Sequence, residues 1–366
     1  MIPTTMADSV PWLSSTLDLA DEFFGALRLS ADVQTEGLQL VAYYSPGVAP
    51  HVADRAYRRF AAFTRQAENY YRSAKALSFR SSALLYYYSF LNLAKAALAI
   101  RNIGFNELHG LTPDYGTAPR TLPHLRVRVK RDGVFQALYR LIFAQSIQNV
   151  HFQLARLLAY NSEISVQYDR VAAGPSKVDR YARVRLLNDG NQAWLMLALS
   201  NLLPVTAQPA PVQAAFNARF QQVTVQPNLA RELFDLFVPA SLTYTYFQSF
   251  PGVAANTTFA AQTQYLLSAL PGCVHPIYVY DDSSDFVLAE HCPADDGSTW
   301  PMNEMCAAYL TMFFMGSLIR YRPDVLEELL GTSATWLLES FVNAAPLLFL
   351  RTITSVIFNR LITFNR

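Results

Sequence analysis

Between residues 83 and 100 the chain carries only three strongly polar side chains, Ser89, Asn92 and Lys95, in a run otherwise built from Ala, Leu, Tyr, Phe and Ile. A helix that is apolar on every side belongs in a core, so the pattern predicts a central helix over residues 79–100. An ammonium group on such a helix is costly unless it is paired. Lys95 is therefore expected to meet a carboxylate or carbonyl, or to border a functional cavity. Upstream, residues 11–28 show a helical repeat (Leu13, Leu17, Ala20, Phe24, Leu27). Residues 53–76 show a second, with Phe60, Phe63, Ala67, Tyr70 and Tyr71 on one side and Arg55, Arg58, Arg59, Arg65 and Arg72 on the other.

The period changes after Pro113. Residues 125–135 alternate basic and β-branched positions and run into Asp132-Gly133, which reads as a strand entering a turn. Helices are expected over 135–144 and 150–160, and a second strand over 181–194, around Asp189-Gly190. Residues 126–133 and 183–190 share Arg-Val-Arg followed three residues later by Asp-Gly, a weak internal repeat. Further strands are expected at 221–226, 241–248, 276–280 and 286–290, and closing helices at 302–320, 323–330, 333–343 and 346–360. The order is helix, then mixed or antiparallel sheet, then helix. The expected class is a predominantly helical α+β fold: an N-terminal helical region over 1–115, a mixed α/β region with basic strands over 116–300, and a C-terminal helical region over 301–366 packing on the rest.

Composition narrows the class. Hydrophobic residues make up 52% and charged residues 16% of 366 positions, with 20 Tyr and 24 Phe. This is the balance of a large folded core or an extensive subunit interface, not of a disordered chain. Net charge is only +1 but is unevenly distributed. Residues 51–190 hold 21 Lys/Arg against 9 Asp/Glu, and the remainder holds 8 against 19. Either the protein has a basic and an acidic face, or the two parts attract each other. Three cysteines, Cys273, Cys292 and Cys306, form no disulfide framework. The N-terminus lacks the basic start and apolar run of a secretory signal. The apolar run at 305–319 is shorter than the roughly 20 residues of a membrane span. A cytoplasmic protein without a membrane segment is expected.

Two resemblances rest on quoted blocks. The run FTRQAENYYRSAKALSFRSSALLYYYSFLNLAKAALA (63–99), the triplet His109-Gly110-Leu111, Gly133-Val134-Phe135 after a basic strand, YLTMFFMGSLIRYRPDVL (309–326), Trp336 and Pro346 together resemble the bacterial YaaC-like family over most of the chain. That resemblance implies a fold and says little about activity. The N-terminal helices are also similar to HEPN domains, many of which are metal-independent ribonucleases while others only bind. Nucleolytic HEPN proteins use an Arg, often followed by Asn, and a His with four to six residues between the Arg and the His, paired across a dimer. The matching residues here are Arg101, Asn102 and His109, with seven residues between Arg and His.

Chemically, His109 could act as base or acid near neutral pH, Arg101 could hold a phosphate bidentately, and Asn102 could orient either. The structural alternative has His109 finishing a turn before Gly110 and Arg101 pairing with Glu107. Lys95 and Asn92 could bind a phosphate or carboxylate, or satisfy a buried partner. Arg126, Arg128 and Lys130 should point one way from their strand, with Val127 and Val129 the other way, and Arg183 and Arg185 repeat the pattern. If the two strands are neighbours, five cations form a ridge suited to a nucleic-acid backbone. Cys273-x-His275 and His291-Cys292 lack the usual zinc spacing, so no metal is expected. Asp281, Asp282 and Asp285 read as turn residues. No phosphate loop, dinucleotide fingerprint, nucleophile elbow or zincin motif is present, and no cofactor is expected. The leading expectation is a non-catalytic binding subunit of a larger assembly, with a protein partner, a homo-oligomer or a nucleic-acid backbone as partner. The alternative is a HEPN-like ribonuclease toxin of antiviral defence.

Overall fold

The computed structural model describes residues 18–117, 120–171, 182–188, 192–200, 214, 216–226, 228–229, 244–250, 253–254, 274–277 and 287–359. The protein is a predominantly helical α+β chain that divides into two compact units. The first comprises residues 1–172, 294–298 and 304–366; the second comprises 173–293 and 299–303.

The first unit begins with α1 (Leu19–Asp32), α2 (Gln34–Tyr44), α3 (Pro50–Lys75) and α4 (Phe79–Ala99). Asp18 caps α1 by accepting from the Ala20 N–H at 3.1 Å, and Asp21 and Glu22 in the first turn face the positive end of the helix dipole. Pro50 opens α3, where its missing N–H costs nothing, and Arg72 and Lys75 sit in its last turn, beside the free carbonyls. A three-stranded antiparallel sheet follows, formed by β1 (Leu111–Asp114), β2 (Arg126–Val129) and β3 (Val150–Gln153) in the order β1-β2-β3. Between β2 and β3 lies α5 (Val134–Phe143), and after β3 come α6 (Leu154–Leu158) and α7 (Ser165–Val171). The unit is completed by α8 (Glu304–Tyr321), α9 (Pro323–Leu330) and α10 (Ala334–Phe358).

Helix α4 is the pillar of this unit. It packs against α3, α8 and α10, and Phe90, Leu93, Ala94, Ala96, Ala97 and Leu98 have no solvent exposure. A glycine of α8 lets that helix come close to α4: a Cβ on Gly316 would stand 3.3 Å from the Leu84 Cα. Its aromatic residues interlock with the C-terminal helices. Phe90 stacks on Phe349 with centroids 3.9 Å apart and planes 6° apart, and Tyr87 meets Phe313 edge-on at 5.3 Å. Burying one such ring contributes about 1.5–3 kcal/mol. From Glu304 to Leu318 every residue of α8 is buried, which accounts for its lack of a polar face.

Two expectations about this unit fail. Residues 150–160 are not one helix: β3 occupies Val150–Gln153, and α6 begins only at Leu154. Val150 and Phe152 are buried, His151 and Gln153 half-buried, a period of two that a short apolar stretch hides. The helices expected at 333–343 and 346–360 are one, because α10 continues through the buried Pro346. Proline there leaves the Val342 carbonyl without its helical donor, and packing against α4, α8 and α1 holds the helix through it. Among the described residues α10 is the one helix long and apolar enough to cross a membrane. It is mostly buried within the fold, as a core helix is.

The second unit contains a seven-stranded antiparallel sheet: β4 (Ala182–Asn188), β5 (Gln192–Ser200), β6 (Phe220–Val223), β7 (Tyr244–Ser249), β8 (Val253–Ala254), β9 (Val274–Ile277) and β10 (Val287–Glu290). The order is β6-β7-β5-β4-β10-β9, with β8 pairing β5. Residues 196–199 of β5 are all buried, so both its faces are covered. A separate two-stranded sheet is formed by β11 (Cys292–Pro293) and β12 (Thr299–Trp300). Asp281, Asp282 and Asp285 lie outside the described residues.

Candidate functional site

The segment from residue 100 to 110 leaves the C-terminus of α4 and crosses to β1, and its shape follows from a few residues. Asn102 takes a left-handed conformation (φ 52°), and Ile103 donates back to the Leu98 carbonyl, ending the helix. Gly110 (φ 75°) and Gly133 (φ 145°) lie against each other, and a Cβ on Gly133 would stand 2.5 Å from the Gly110 Cα. The buried Gln136 side chain donates to the carbonyls of Gly110 and Lys130, both at 2.8 Å, which fixes the segment to β2 and α5.

Arg101 turns toward the end of α10. One terminal nitrogen donates to the Ala97 carbonyl at 3.0 Å; the other donates to the Tyr44 hydroxyl at 2.8 Å and to the Val356 carbonyl. The guanidinium lies over the Tyr44 ring, 3.9 Å from its centre, and the Tyr44 hydroxyl donates to the Ile357 carbonyl at 2.6 Å. A cation thus caps the negative end of α10. Burial holds the Arg101 guanidinium below its usual range and pushes the Tyr44 phenol up to about 12.

His109 has a different environment. Its Nδ1 accepts from the Leu111 N–H at 3.2 Å, and its ring packs on Phe313 of α8 with centroids 5.2 Å apart, while the side chain stays exposed. Partial burial and then the Lys130 charge lower its pKa from the ordinary histidine value, which favours the neutral ring. Arg101 and His109 therefore serve different neighbours: α2 and α10 for the arginine, β1 and α8 for the histidine. Asn102 is exposed.

Lys95 meets the carboxylate that its setting requires. Its Nζ stands 2.8 Å from one oxygen of Glu107, and Arg59 of α3 stands 2.7 Å from the other. Phe63 and Phe105 flank the cations: Lys95 lies 5.4 Å from the Phe63 centroid and Arg59 4.8 Å from that of Phe105. Glu107 is thus taken by Lys95 and Arg59, not by Arg101. Asn92 donates to the Tyr88 carbonyl of its own helix at 2.8 Å, and Ser89 donates to the Ala67 carbonyl of α3 at 2.9 Å. Ser89, Asn92 and Lys95 thus each have a partner.

Strand β2 alternates as its sequence requires. Val127 and Val129 are fully buried, Arg126 is half-buried, and Arg128 and Lys130 are exposed. Arg126 is paired with Asp295, whereas Arg128, Lys130 and the adjacent exposed Arg131 have no ion pair among the described residues. Arg128 donates to Asn149 at 3.4 Å and lies opposite His151 of β3. Arg183 and Arg185 lie on β4, which pairs with β5 and β10 in the other sheet, so the two basic strands are not paired with each other in one sheet. The side chains of Arg183 and Arg185 lie outside the described residues.

Much of the charge asymmetry is consumed inside the chain. Arg65 pairs with Asp32, Arg72 with Asp21, Lys75 with Asp18, Arg80 with Glu327, and Arg120 with Glu328, each joining the basic segment to an acid outside it. Four of the five arginines on the basic side of α3 are accordingly in ion pairs, with Arg58 on Asp54 and Arg59 on Glu107, and Arg55 is exposed with no ion pair among the described residues. No three His, Cys, Asp or Glu side chains among the described residues could share a metal ion, and Cys273 lies outside them. Sequence reasoning missed the roles of Tyr44, Arg59 and Glu107. Only Glu107 carried a signal, as the one carboxylate between Lys95 and Asp114.

The YaaC-like protein family model matches residues 44–357, from the Arg101 ring partner Tyr44 to the last turn of α10. The chain belongs to the YaaC-like family. No curated protein and no solved structure shows a significant match.

Proposed function

We propose that this YaaC-like protein is a non-catalytic binding subunit of a larger assembly, and that the exposed end of β2 is its contact with a nucleic-acid backbone. The observation that carries the non-catalytic reading is the engagement of Arg101. Both its terminal nitrogens bind groups of the fold, and its planar face lies on Tyr44. No fork remains for a phosphate. Arg128, Lys130 and Arg131 provide the contact, because their charges are exposed and uncompensated while the other strand cation, Arg126, is paired. Phosphate contacts of this kind give affinity and salt dependence without sequence preference.

Fluorescence anisotropy with a labelled single-stranded RNA at several salt concentrations tests this reading. Binding should weaken steeply with salt. Arg128→Ala with Lys130→Ala should lower the slope by about one unit for each phosphate contact removed. RNA binding that ignores both substitutions, or no binding at low salt, would remove β2 as the contact surface.

One observation favours the second reading, a HEPN-like metal-independent ribonuclease. His109 is exposed, and its lowered pKa favours the neutral ring that a general base needs. That reading requires Arg101 to leave Tyr44 and the end of α10.

A further inference from the structure

We infer that Arg59 and Lys95 form a binding site for a phosphate monoester dianion, and that Glu107 occupies this site as a displaceable internal ligand. The inference is independent of β2. The two cations project from α3 and α4, which pack along each other in the core, so their spacing is fixed by the core. They hold one carboxylate by its two oxygens, at 2.7 and 2.8 Å, which shows directly that the pair accepts an oxyanion with one oxygen for each cation.

The charges do not balance. Two cations face a single negative charge, and Arg55, one helical turn before Arg59, is exposed with no ion pair among the described residues. A phosphate dianion would neutralise Arg59 and Lys95 together. The phenylalanines Phe63 and Phe105 limit the water that competes for the cations, and the Lys95 side chain is only 14% exposed. Removing its anion without replacement would leave a largely dehydrated ammonium group unpaired, so exchange for another anion is the low-energy route.

Glu107 is suited to leave. Its side chain is 57% exposed and stands on irregular backbone, whereas its neighbours are tied down: the Leu108 N–H donates to the Asn106 side chain, and the Leu108 carbonyl accepts from Val134. A rotation of the Glu107 side chain into solvent therefore opens the site without moving the chain.

The experiment is a thermal-shift titration of the full chain with inorganic phosphate, with acetate as the carboxylate control. In Glu107→Gln the competitor is neutral. Phosphate should raise the melting temperature saturably, at a concentration at least tenfold lower than in the wild type, and more than acetate does. Adding Lys95→Met to Glu107→Gln should abolish the shift. If that double variant does not fold, Arg59→Gln with Glu107→Gln replaces it, with the same expected loss. Absence of a saturable phosphate shift in Glu107→Gln, or an equal shift after a cation is removed, would overturn the inference and leave the triad as a structural ion pair.

Discussion

The guanidinium of Arg101 lies 3.9 Å from the centre of the Tyr44 ring, and its Nη2 donates to the hydroxyl of the same tyrosine at 2.8 Å. Tyr44 passes the connection on to the Ile357 carbonyl. One residue pair thus joins α2 and the end of α4 to the end of α10, which lies more than 250 residues further along the chain. Replacing Arg101 with Ala leaves the last carbonyls of α10 without their cation and the Tyr44 ring without its cover. The expected loss is about 2–4 kcal/mol of folding stability, measured by urea denaturation. Tyr44→Phe keeps the stacking and removes the hydroxyl, so it should cost only about 1 kcal/mol.

Phe90 and Phe349 stack face to face in the core between α4 and α10. Both rings are fully buried, so Phe90→Ala should create a cavity and cost about 3–5 kcal/mol. Denaturation midpoints report the loss. A change below about 1 kcal/mol would mean that α4 is not the centre of this unit.

His109 makes stability depend on pH in a defined direction. Its folded-state pKa lies below the ordinary value, so protons bind the unfolded chain more readily. The stabilisation is complete above the unfolded histidine pKa of about 6.5 and is lost as pH falls through the lower folded value. The difference in melting temperature between wild type and His109→Gln, followed from pH 8 to pH 5, should shrink with acid. A difference that grows with acid would mean that the folded protein favours the protonated ring.

Arg126 and Arg128 should separate by readout. Arg126 is paired with Asp295, so Arg126→Ala should lower the melting temperature and leave the salt slope of RNA binding nearly unchanged. Arg128, exposed and without an ion pair among the described residues, should do the reverse. Scanning fluorimetry and anisotropy on the two variants check both halves.

The central helix was legible because eighteen residues with three polar positions allow few other placements. Helices α3 and α8 were legible too, one from its period and the other from its apolar length. Helix α2 was not: it buries only Gly37 and Val41, too little to mark a face. Strand β5 merged with β4 in the sequence because residues 196–199 are buried on both faces and show no alternation. The site was legible in residue types more than in partners. That Lys95 needs an acid followed from burial. That Arg101 would reach Tyr44 and Val356, leaving Glu107 to Arg59, depended on contacts far apart in sequence that local pattern does not encode.

The most direct test of Arg101 as a structural tie and of the protein as a binder is incubation of the purified wild-type chain with labelled RNA in excess chelator. Intact RNA is expected at every time point, at protein concentrations where anisotropy shows it bound. Cleavage that persists in chelator and disappears in a folded His109→Ala variant would contradict it, and would return Arg101 and His109 to a shared active site.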